Sequence, residues 1–406
     1  MLTELCLQGF KSFDDQTVTL GPVTMLVGAN ASGKSNFLDS IRFLQGMSLG
    51  LPIADVLRGR WDAGRELWPG IRGGIAEAVR FGKSSFGIGS TWTIDGMKLW
   101  YSIACSTEPE PAIVHEMLQL RDSTTYLFDT RAPSLGNNVG PSPGGSLRAA
   151  LRGKGGGRNP SIEYSSARSL LGQIQPHERA HPTMMQGIAG IRKALNSSLF
   201  LDIMPSRMRD YVPASVPALG ANGENISAVL HRYCQDEEQK RDLIDWISEL
   251  CAPAIVDIAF TETDLKDVLF ALVEKDGTRV SARSVSDGTL RFLGELTALL
   301  TSEKGAVLLM EEIESGLHPA RVHLLVEILE SVTKGGARQV IATTHSPLVL
   351  QALSPVALGD TIVFGRHEDE PGTQMKRLAD LPSFEDVLAR RGIEHLFTTK
   401  WLERAL

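Results

Sequence analysis

The feature that most constrains this chain is the stretch GANASGKS at residues 28–35. It matches the pattern G-x-x-x-x-G-K-[ST]. An apolar run at residues 23–27 precedes it, and apolar residues at helical spacing follow it. Glycines let backbone amides turn toward phosphate oxygens, and a helix start adds the positive end of its dipole. The stretch therefore predicts a strand, a phosphate-binding loop and a helix in succession.

The residue types within this loop predict a nucleoside triphosphate, ATP, and Mg²⁺ as its ligands. Lys34 supplies a cation for the β- and γ-phosphates, and the hydroxyl of Ser35 is a metal ligand. The candidate nucleotide-binding residues are Gly28, Ala29, Asn30, Ala31, Ser32, Gly33, Lys34, Ser35 and Asn36.

A second candidate element is the run VLLMEE at residues 307–312, an apolar strand that ends in two carboxylates. In a phosphate-loop protein this is the place of a Walker B element. We expect Glu311 to hold Mg²⁺ and Glu312 to act as general base on the attacking water. Adjacent residues of a strand point to opposite sides, which suits two separate roles. Glutamate replaces the usual first aspartate, so the detailed metal coordination is open.

Three further polar turns complete the candidate site. Ser286, Asp287 and Gly288 precede the helix that leads to the acidic strand, and a Ser-x-Gly turn there is either an anion site or an ordinary helix cap. Residues 315–318 (SGLH) follow the strand. His345, in TTHS at the end of the next strand, is placed to contact a γ-phosphate or to orient water.

The rest of the chain predicts two lobes, at residues 1–200 and 201–406. Residues 85–130 have the pattern of short antiparallel strands, and the last third alternates strand and helix as in a parallel sheet. Residues 131–160 are rich in glycine and in basic residues, with no acid. We interpret them as a mobile basic loop that either contacts DNA phosphates or is a solvated insertion.

Composition narrows the classes of function. The chain has 406 residues and a net charge of −7, so nucleic-acid binding requires a local basic face. Its four cysteines are scattered, which suggests neither a zinc site nor a disulfide framework. No apolar run reaches the roughly 18 residues that span a bilayer, and the N-terminus does not have the pattern of a signal peptide. We expect a cytoplasmic protein with no membrane partner.

The order of motifs resembles the RecF-like branch of the ABC-type ATPases, which is related to SMC heads and to the ATPase part of OLD-family proteins. The resemblance rests on GFKSF, GANASGKSNFLDSIRFL, ANGENISAVL, SVSDGTLRFL, LLMEEIESGLHP and ATTHSP, over roughly residues 1–50 and 200–352. It implies an α/β P-loop NTPase fold with a mixed and parallel sheet, an antiparallel β lobe and a helical subdomain.

The resemblance also implies roles for the matching residues. Ser286, Asp287 and Gly288 match the signature, residues 315–318 the D-loop and His345 the switch histidine. Two heads of such proteins dimerise head-to-tail, and the signature of one contacts the γ-phosphate held by the other, which implies an ATP-dependent homodimer. For the Q-loop glutamine, Gln173 and Gln175 are both candidates.

Three departures from related proteins limit the function. The signature is SDGT rather than SGGQ, which disfavours a transporter motor. A long coiled coil of the SMC type is absent, and about 60 residues after His345 are too few for an OLD-type nuclease. We therefore expect an ATPase dimer acting on DNA, in repair or anti-phage defence. The alternative is a nucleotide-gated scaffold with little turnover that holds a partner effector such as a nuclease.

Overall fold

The computed structural model describes residues 1–123, 125–135, 141, 145–155, 159–175, 180–216, 218–250, 255–366 and 372–406. The strands are β1 (Leu2–Gln8), β2 (Asp15–Thr19), β3 (Val23–Gly28), β4 (Arg60–Asp62), β5 (Arg65–Trp68), β6 (Ser85–Ile94), β7 (Met97–Ser106), β8 (Ala112–Leu120), β9 (Tyr126–Asp129), β10 (Ser146–Leu151), β11 (Ser161–Ser165), β12 (Leu199–Leu201), β13 (Val212–Pro213), β14 (Ile255–Glu262), β15 (Asp267–Glu274), β16 (Arg279–Ser281), β17 (Val307–Met310), β18 (Gln339–Thr343), β19 (Ile362–Gly365) and β20 (Gln374–Arg377).

The helices are α1 (Lys34–Ser48), α2 (Ile53–Arg58), α3 (Leu170–Gln173), α4 (Pro182–Asn196), α5 (Ile226–Tyr233), α6 (Glu237–Leu250), α7 (Asp287–Thr301), α8 (Val322–Thr333), α9 (Pro347–Ala352), α10 (Pro355–Gly359), α11 (Phe384–Thr398) and α12 (Trp401–Arg404). No helix in the described ranges is both long enough and apolar enough to cross a membrane.

An antiparallel sheet dominates the N-terminal part of the molecule. Its strand order within the described residues is β11-β10-β9-β8-β7-β6-β1-β2. β6 and β7 pair over their full ten residues, from Ser85 opposite Ser106 to Ile94 opposite Met97. Apolar side chains at alternate positions of β7 are buried, because successive residues of a strand face opposite sides of the sheet. The prediction of antiparallel strands over residues 85–130 is confirmed.

A six-stranded sheet, in the order β12-β17-β18-β3-β19-β20, forms the second layer. All pairs are parallel except β19 with β20. Every residue of β3, β17, β18 and β19 is buried, as expected for parallel strands covered on both faces. The parallel sheet predicted for the last third is confirmed, and β3 joins it from the predicted first lobe. The boundary near residue 200 remains a prediction.

One buried amide side chain links the two sheets. Gln339, at the start of β18, accepts a hydrogen bond from the Leu2 N–H at 3.0 Å. Its Nε2 donates to the carbonyl oxygens of Leu2 at 2.7 Å and Gly21 at 2.9 Å. Gln339 thus satisfies the backbone groups of two chain segments where the antiparallel sheet meets the parallel one.

A smaller antiparallel sheet of β13, β15, β14 and β16 adjoins the helices that lead into β17. β14 and β15 form an antiparallel hairpin, and a turn at Asp276–Gly277 connects β15 to β16. Helix α5 lies against β15, and helix α7 runs from this region to the start of β17. The signature motif therefore sits at the beginning of α7.

The prediction of a mobile loop over residues 131–160 is wrong for Ser146–Leu151, which form β10 between β9 and β11. The alternating apolar residues Leu147, Ala149 and Leu151 are buried and explain the strand. Arg148 lies on its exposed face. Arg158 falls outside the described residues, as do 136–140 and 142–144.

Helix α7 carries an unusual buried acid, Glu295, which is 3% exposed. Its Oε2 atom has no hydrogen-bond partner in the described part of the chain. Burial raises the pKa of Glu295 well above its usual range, the positive charge of Arg291 opposes this rise, and the negative charge of Glu314 adds to it. A carboxyl group in such a place is more stable protonated than charged.

Replacing the Glu295 carboxyl group with an amide tests whether the folded protein favours its protonated form. Because the pKa of Glu295 is higher in the folded than in the unfolded chain, its contribution to stability is complete at acidic pH. It is lost as pH rises from the unfolded pKa toward the folded one. We expect Glu295→Gln to raise the free energy of unfolding at neutral pH by about 1 kcal/mol and to flatten its pH dependence.

Urea unfolding of wild type and Glu295→Gln at pH 5 and pH 8 measures this effect. Glu303→Gln, at an exposed position beyond the same helix, is the matched control. Identical pH dependence in wild type and Glu295→Gln would contradict the assignment.

Candidate nucleotide-binding site

The loop between β3 and α1 has a backbone that only glycine can adopt at its first position. Gly28 has a φ of 144°. A Cβ atom there would lie 2.3 Å from the carbonyl oxygen of Phe364 on the neighbouring strand β19. The parallel pairing of β3 with β19 therefore requires a glycine at the point where the chain turns into the loop.

Unpaired donors face the centre of this loop. Helix α1 begins at Lys34, and its N-cap residue, Gly33, provides no side-chain cap. The first amides of a helix have no acceptor within the helix, so those of α1 remain for an anion. The hydroxyl of Ser32 is buried and has no hydrogen-bond partner among the residues that the structure describes. This set of donors suits phosphate oxygens.

The Lys34 side chain lies along the loop. Its Nζ atom donates to the carbonyl oxygens of Gly28 at 2.7 Å and Ala29 at 3.0 Å. Burial lowers the pKa of Lys34, and the carboxylates of Glu403, Glu312 and Glu311 oppose this shift. The site thus contains a largely buried cation among three acids.

The two acids after β17 adopt a geometry that strand alternation did not predict. The strand ends at Met310, and Glu312 has a left-handed backbone with φ 52°. Its N–H donates to the hydroxyl of Thr343 at 2.8 Å. The expectation that Glu311 and Glu312 point to opposite sides of a strand is therefore wrong, and both side chains line the same cavity.

Each of these acids has a neighbour that positions it. Glu311 forms an ion pair with Arg72, and both side chains are about half exposed. The hydroxyl of Ser315 donates to Glu312 Oε2 at 3.2 Å. A residue of the predicted D-loop thus contacts the predicted general base.

Glu314 fixes the segment that carries His345. Its Oε2 accepts from the Thr344 hydroxyl and its Oε1 from the His345 N–H, both at 2.8 Å. No sequence motif assigns a role to Glu314. Its position two residues after Glu312 was the available signal, but the sequence does not show which backbone it reaches.

These elements surround one cavity of about 330 Å³. It contains the predicted phosphate loop, both acids and His345. The lining residues are Asn30, Ala31, Ser32, Gly33, Lys34, Ser35, Asn36, Glu311, Glu312, Thr343, His345 and Arg366. Arg366 directly follows β19 and was missed, because no motif marks it in the sequence. A basic residue after the strand beside β3 was its only signal.

The GFKSF motif at residues 9–13 contacts α1 and, through Thr373, the phosphate loop. Lys11 and Asp39 of α1 form a buried ion pair with an Nζ–Oδ2 distance of 2.5 Å. The Ser12 hydroxyl accepts from Asn36 Nδ2 at 2.8 Å. The Thr373 hydroxyl lies 2.8 Å from both the Ser12 hydroxyl and the Ser32 carbonyl oxygen. The motif therefore connects α1 and the phosphate loop to the segment before β20.

The signature residues lie outside the cavity, on the surface. Ser286 is exposed and caps α7, because its hydroxyl oxygen accepts from the Thr289 N–H at 3.2 Å. Asp287 is an exposed ion-pair partner of Arg209 at 2.5 Å. A Cβ on Gly288 would lie 2.6 Å from the carbonyl oxygen of Gly316, so the signature turn packs directly on the predicted D-loop.

The Q-loop candidate Gln173 is wrong. Its Nε2 donates to the carbonyl oxygens of Ser165 and Arg168, and its Oε1 accepts from the Ser165 N–H. It lies on α3 near Gly50, just beyond the far end of α1. A 15-residue helix is about 22 Å long, so this residue is remote from the phosphate loop. Gln175, two residues further along, does not line the cavity either.

Comparisons with known proteins agree with this geometry. The sequence matches, over residues 23–90 and 176–351, the family described as "AAA domain, putative AbiEii toxin, Type IV TA system". Among solved structures, an SMC head bound to the C-winged helix domain of ScpA has a TM-score of 0.51 at 12% identity, covering 92% of this chain and 96% of that one. An SMC head domain from Thermotoga maritima has a TM-score of 0.42 at 13% identity, covering 93% and 98%. No curated protein matches the chain.

The chain has the fold of an SMC head, and the predicted phosphate loop lines its cavity. Within that fold class, the chain belongs to the AAA-domain family just described, whose match covers more than half of its residues. The fold class expected from the sequence is confirmed.

The contacts of Glu314 generate a prediction for this site. We expect Glu314→Ala to remove the hydrogen bonds to Thr344 and His345 and to leave the ATP affinity nearly unchanged. The kcat of ATP hydrolysis should fall by about 10-fold or more, since misplacing a group at a reacting centre has effects of that size. Glu314→Gln retains an acceptor for the His345 N–H and is expected to restore part of the rate. Hydrogen exchange of the His345 amide should rise in Glu314→Ala, and an unchanged kcat in that variant would contradict the role.

Proposed function

We propose that this chain binds and hydrolyses ATP at a site that a second copy of the chain completes. The observation that carries the proposal is the division of the site. Lys34, Glu312 and His345 line one cavity, whereas Ser286 is exposed outside it. A cavity with a phosphate loop, two carboxylates and a histidine can bind a nucleotide, but it has no signature contact of its own.

The donor set of the cavity fits ATP and Mg²⁺. The amides at the start of α1 and the orphaned Ser32 hydroxyl are donors for phosphate oxygens. The Ser35 hydroxyl and the Glu311 carboxylate are oxygen ligands of the kind that Mg²⁺ prefers. Bound Mg²⁺ would neutralise charge on the phosphates. Because Arg72 pairs with Glu311, this arginine must share the carboxylate or release it when the metal binds.

The remaining residues have roles in the attack of water on the γ-phosphate. Glu312 is the proposed base that polarises the attacking water, and Ser315 and the Thr343 hydroxyl fix its position. Lys34 is the proposed cation at the β- and γ-phosphates, and His345 contacts the γ-phosphate or the water. Charge stabilisation and positioning supply most of the catalysis in phosphoryl transfer.

We further propose that Ser286, Asp287 and Gly288 close over the γ-phosphate of the partner copy in a head-to-tail homodimer. The exposure of Ser286 and Asp287 and the 15-residue helix that follows Ser286 support this role. The close contact of Gly288 with Gly316 connects the signature of one site to the D-loop beside Glu312 of the other. Closure of one site would therefore be sensed at the second.

A charge-bearing replacement at the signature tests the dimer. We expect Ser286→Arg to leave ATP binding within about twofold of wild type and to lower hydrolysis about 100-fold, the effect expected when an anion-stabilising group is lost. ATP-dependent dimerisation should disappear with hydrolysis. Equilibrium binding of a fluorescent ATP analogue, steady-state ATPase rates and light scattering measure the three quantities.

Ser284→Arg is a matched control, since Ser284 is exposed two residues before the cap and forms no part of it. It should dimerise and hydrolyse ATP. A Ser286→Arg protein that hydrolyses ATP as a strict monomer would refute the composite site.

We propose that this dimer acts on DNA, in repair or in anti-phage defence. A basic pocket of about 420 Å³ lies on the antiparallel lobe and includes Arg152, Lys154 and His181. No carboxylate is among its described lining residues. The pocket is a local cationic face on an acidic chain, and such a face is what phosphate contacts require.

Charge reversal tests the DNA proposal. We expect the double variant Arg152→Glu/Lys154→Glu to bind duplex DNA at least 10-fold more weakly and to reduce the salt dependence of binding by about two released ions. Lys275→Glu/Arg279→Glu, an exposed pair on the β15–β16 hairpin, makes the same charge change elsewhere. Equal loss of DNA binding in both variants, or ATPase activity indifferent to DNA, would remove the DNA part of the proposal.

The second candidate function is a nucleotide-gated scaffold that holds a partner effector. The solved SMC head of similar fold is itself bound to a domain of another protein, ScpA. Glu312→Gln separates the two functions. If wild type hydrolyses ATP, Glu312→Gln should accumulate an ATP-bound dimer that wild type forms only transiently. Size-exclusion chromatography in the presence of ATP measures the amount of this dimer. An equally stable ATP-bound dimer in both proteins would favour the scaffold.

A further inference from the structure

A second large cavity, the C-terminal pocket, lies on helices α11 and α12. Its volume is about 640 Å³. Arg390, Arg391, His395 and Arg404 line it together with Leu396 and Trp401, and its described lining contains no carboxylate. Neither the sequence motifs nor the proposed ATP site account for this group of three arginines on an acidic chain.

The contacts of these cations leave donors free for a ligand. Arg391 Nη1 donates to His395 Nε2 at 3.2 Å. Arg404 donates to the carbonyl oxygens of Thr399 at 2.7 Å and Lys400 at 3.3 Å, which fixes its guanidinium at the turn between the two helices. Arg390 is exposed and has no hydrogen-bond or ion-pair partner in the described ranges.

The chemistry of the lining defines the ligand class. The arginine side chains are donors only, so the ligand must be rich in acceptors and carry negative charge. The buried Leu396 and the half-buried Trp401 provide an apolar surface with an aromatic ring. Phosphates beside a planar base meet both requirements, because bases stack on aromatic rings while arginines bind the phosphates. A peptide backbone would also require acceptors from the pocket.

The same short helix packs beside the strand that leads to the ATP site. α12 places Trp401 and Arg404 in the C-terminal pocket, and Glu403 lies between them in the chain. The Glu403 carbonyl oxygen is 3.5 Å from the position of a Cβ on Gly365, the residue before Arg366 of the nucleotide cavity. Glu403 Oε2 is buried and has no hydrogen-bond partner among the described residues. Of the three carboxylates that oppose the lowered pKa of Lys34, that of Glu403 has the largest effect.

We propose that the C-terminal pocket binds a nucleotide unit, with its phosphate on the arginines and its base on Trp401, and that occupancy of the pocket changes ATP affinity through Glu403. The binding step stands independently of the proposed function, whereas the coupling step rests on it. A helix of four residues that lines the pocket and packs on β19 is short enough for a displacement at Arg404 to alter the position of Glu403.

Binding is tested on the full chain without ATP. Fluorescence anisotropy of a labelled thymidine oligonucleotide should show at least 5-fold weaker binding for Arg390→Glu/Arg391→Glu than for wild type. Arg60→Glu/Arg65→Glu, an exposed pair on the β4–β5 hairpin, is the control and should stay within about twofold of wild type. Equal affinities of all three proteins would overturn the proposal, as would a loss confined to the Arg152→Glu/Lys154→Glu variant.

Competition identifies the source of the nucleotide unit. If thymidine 5′-monophosphate displaces the oligonucleotide from wild type but not from Trp401→Ala, the pocket binds free nucleotides. If the monophosphate does not displace the oligonucleotide, and the oligonucleotide binds Trp401→Ala more weakly than wild type, the pocket binds a strand. An affinity that is the same in Trp401→Ala and wild type would overturn the stacking role.

Coupling is measured as the ATP affinity with and without saturating oligonucleotide. We expect wild type to change at least 3-fold and Glu403→Gln to show no change while retaining its oligonucleotide affinity. Glu385→Gln, on the exposed surface of α11, should behave as wild type. An identical response of Glu403→Gln and wild type would overturn the coupling but leave both the pocket and the ATP site standing.

Discussion

The parallel pairing of β3 between β18 and β19 is the constraint on which the candidate site depends. The register places Gly28 beside Phe364 and Leu26 beside Thr343. Since parallel strands end at the same edge of a sheet, the phosphate loop, the segment of His345 and Arg366 meet there. The neighbouring strand β17 adds Glu311 and Glu312 to this edge. A different strand order would separate the loop from its acids.

Local patterns in the sequence predicted the elements of this edge but not the contacts between them. The loop, the acidic strand end and His345 follow from motifs whose residues are close in the chain. The ion pair of Arg72 with Glu311 joins residues more than two hundred positions apart, and no periodicity reveals such a pair. The same limit explains the wrong assignment of Gln173. Its residue type suits a Q-loop, but its helix lies beyond the far end of α1.

Composition misled the prediction where a strand contains charged and small residues. Ser146–Leu151 follow a glycine-rich segment, yet alternate apolar side chains are enough to add β10 to the antiparallel sheet. Strand alternation in turn failed at Glu312, because the left-handed backbone of this residue ends the regular geometry. Pattern rules hold inside regular elements and fail at their ends, where functional residues concentrate.

In the proposed dimer, each copy contributes one half to each of two nucleotide sites, the phosphate loop to one and the signature to the other. This arrangement predicts that two inactive proteins restore each other. We expect an equimolar mixture of Lys34→Ala and Ser286→Arg to recover ATPase activity that neither protein has alone, up to about half of the wild-type rate, since each mixed dimer holds one intact site of two. A mixture no more active than its separate components would contradict the composite site.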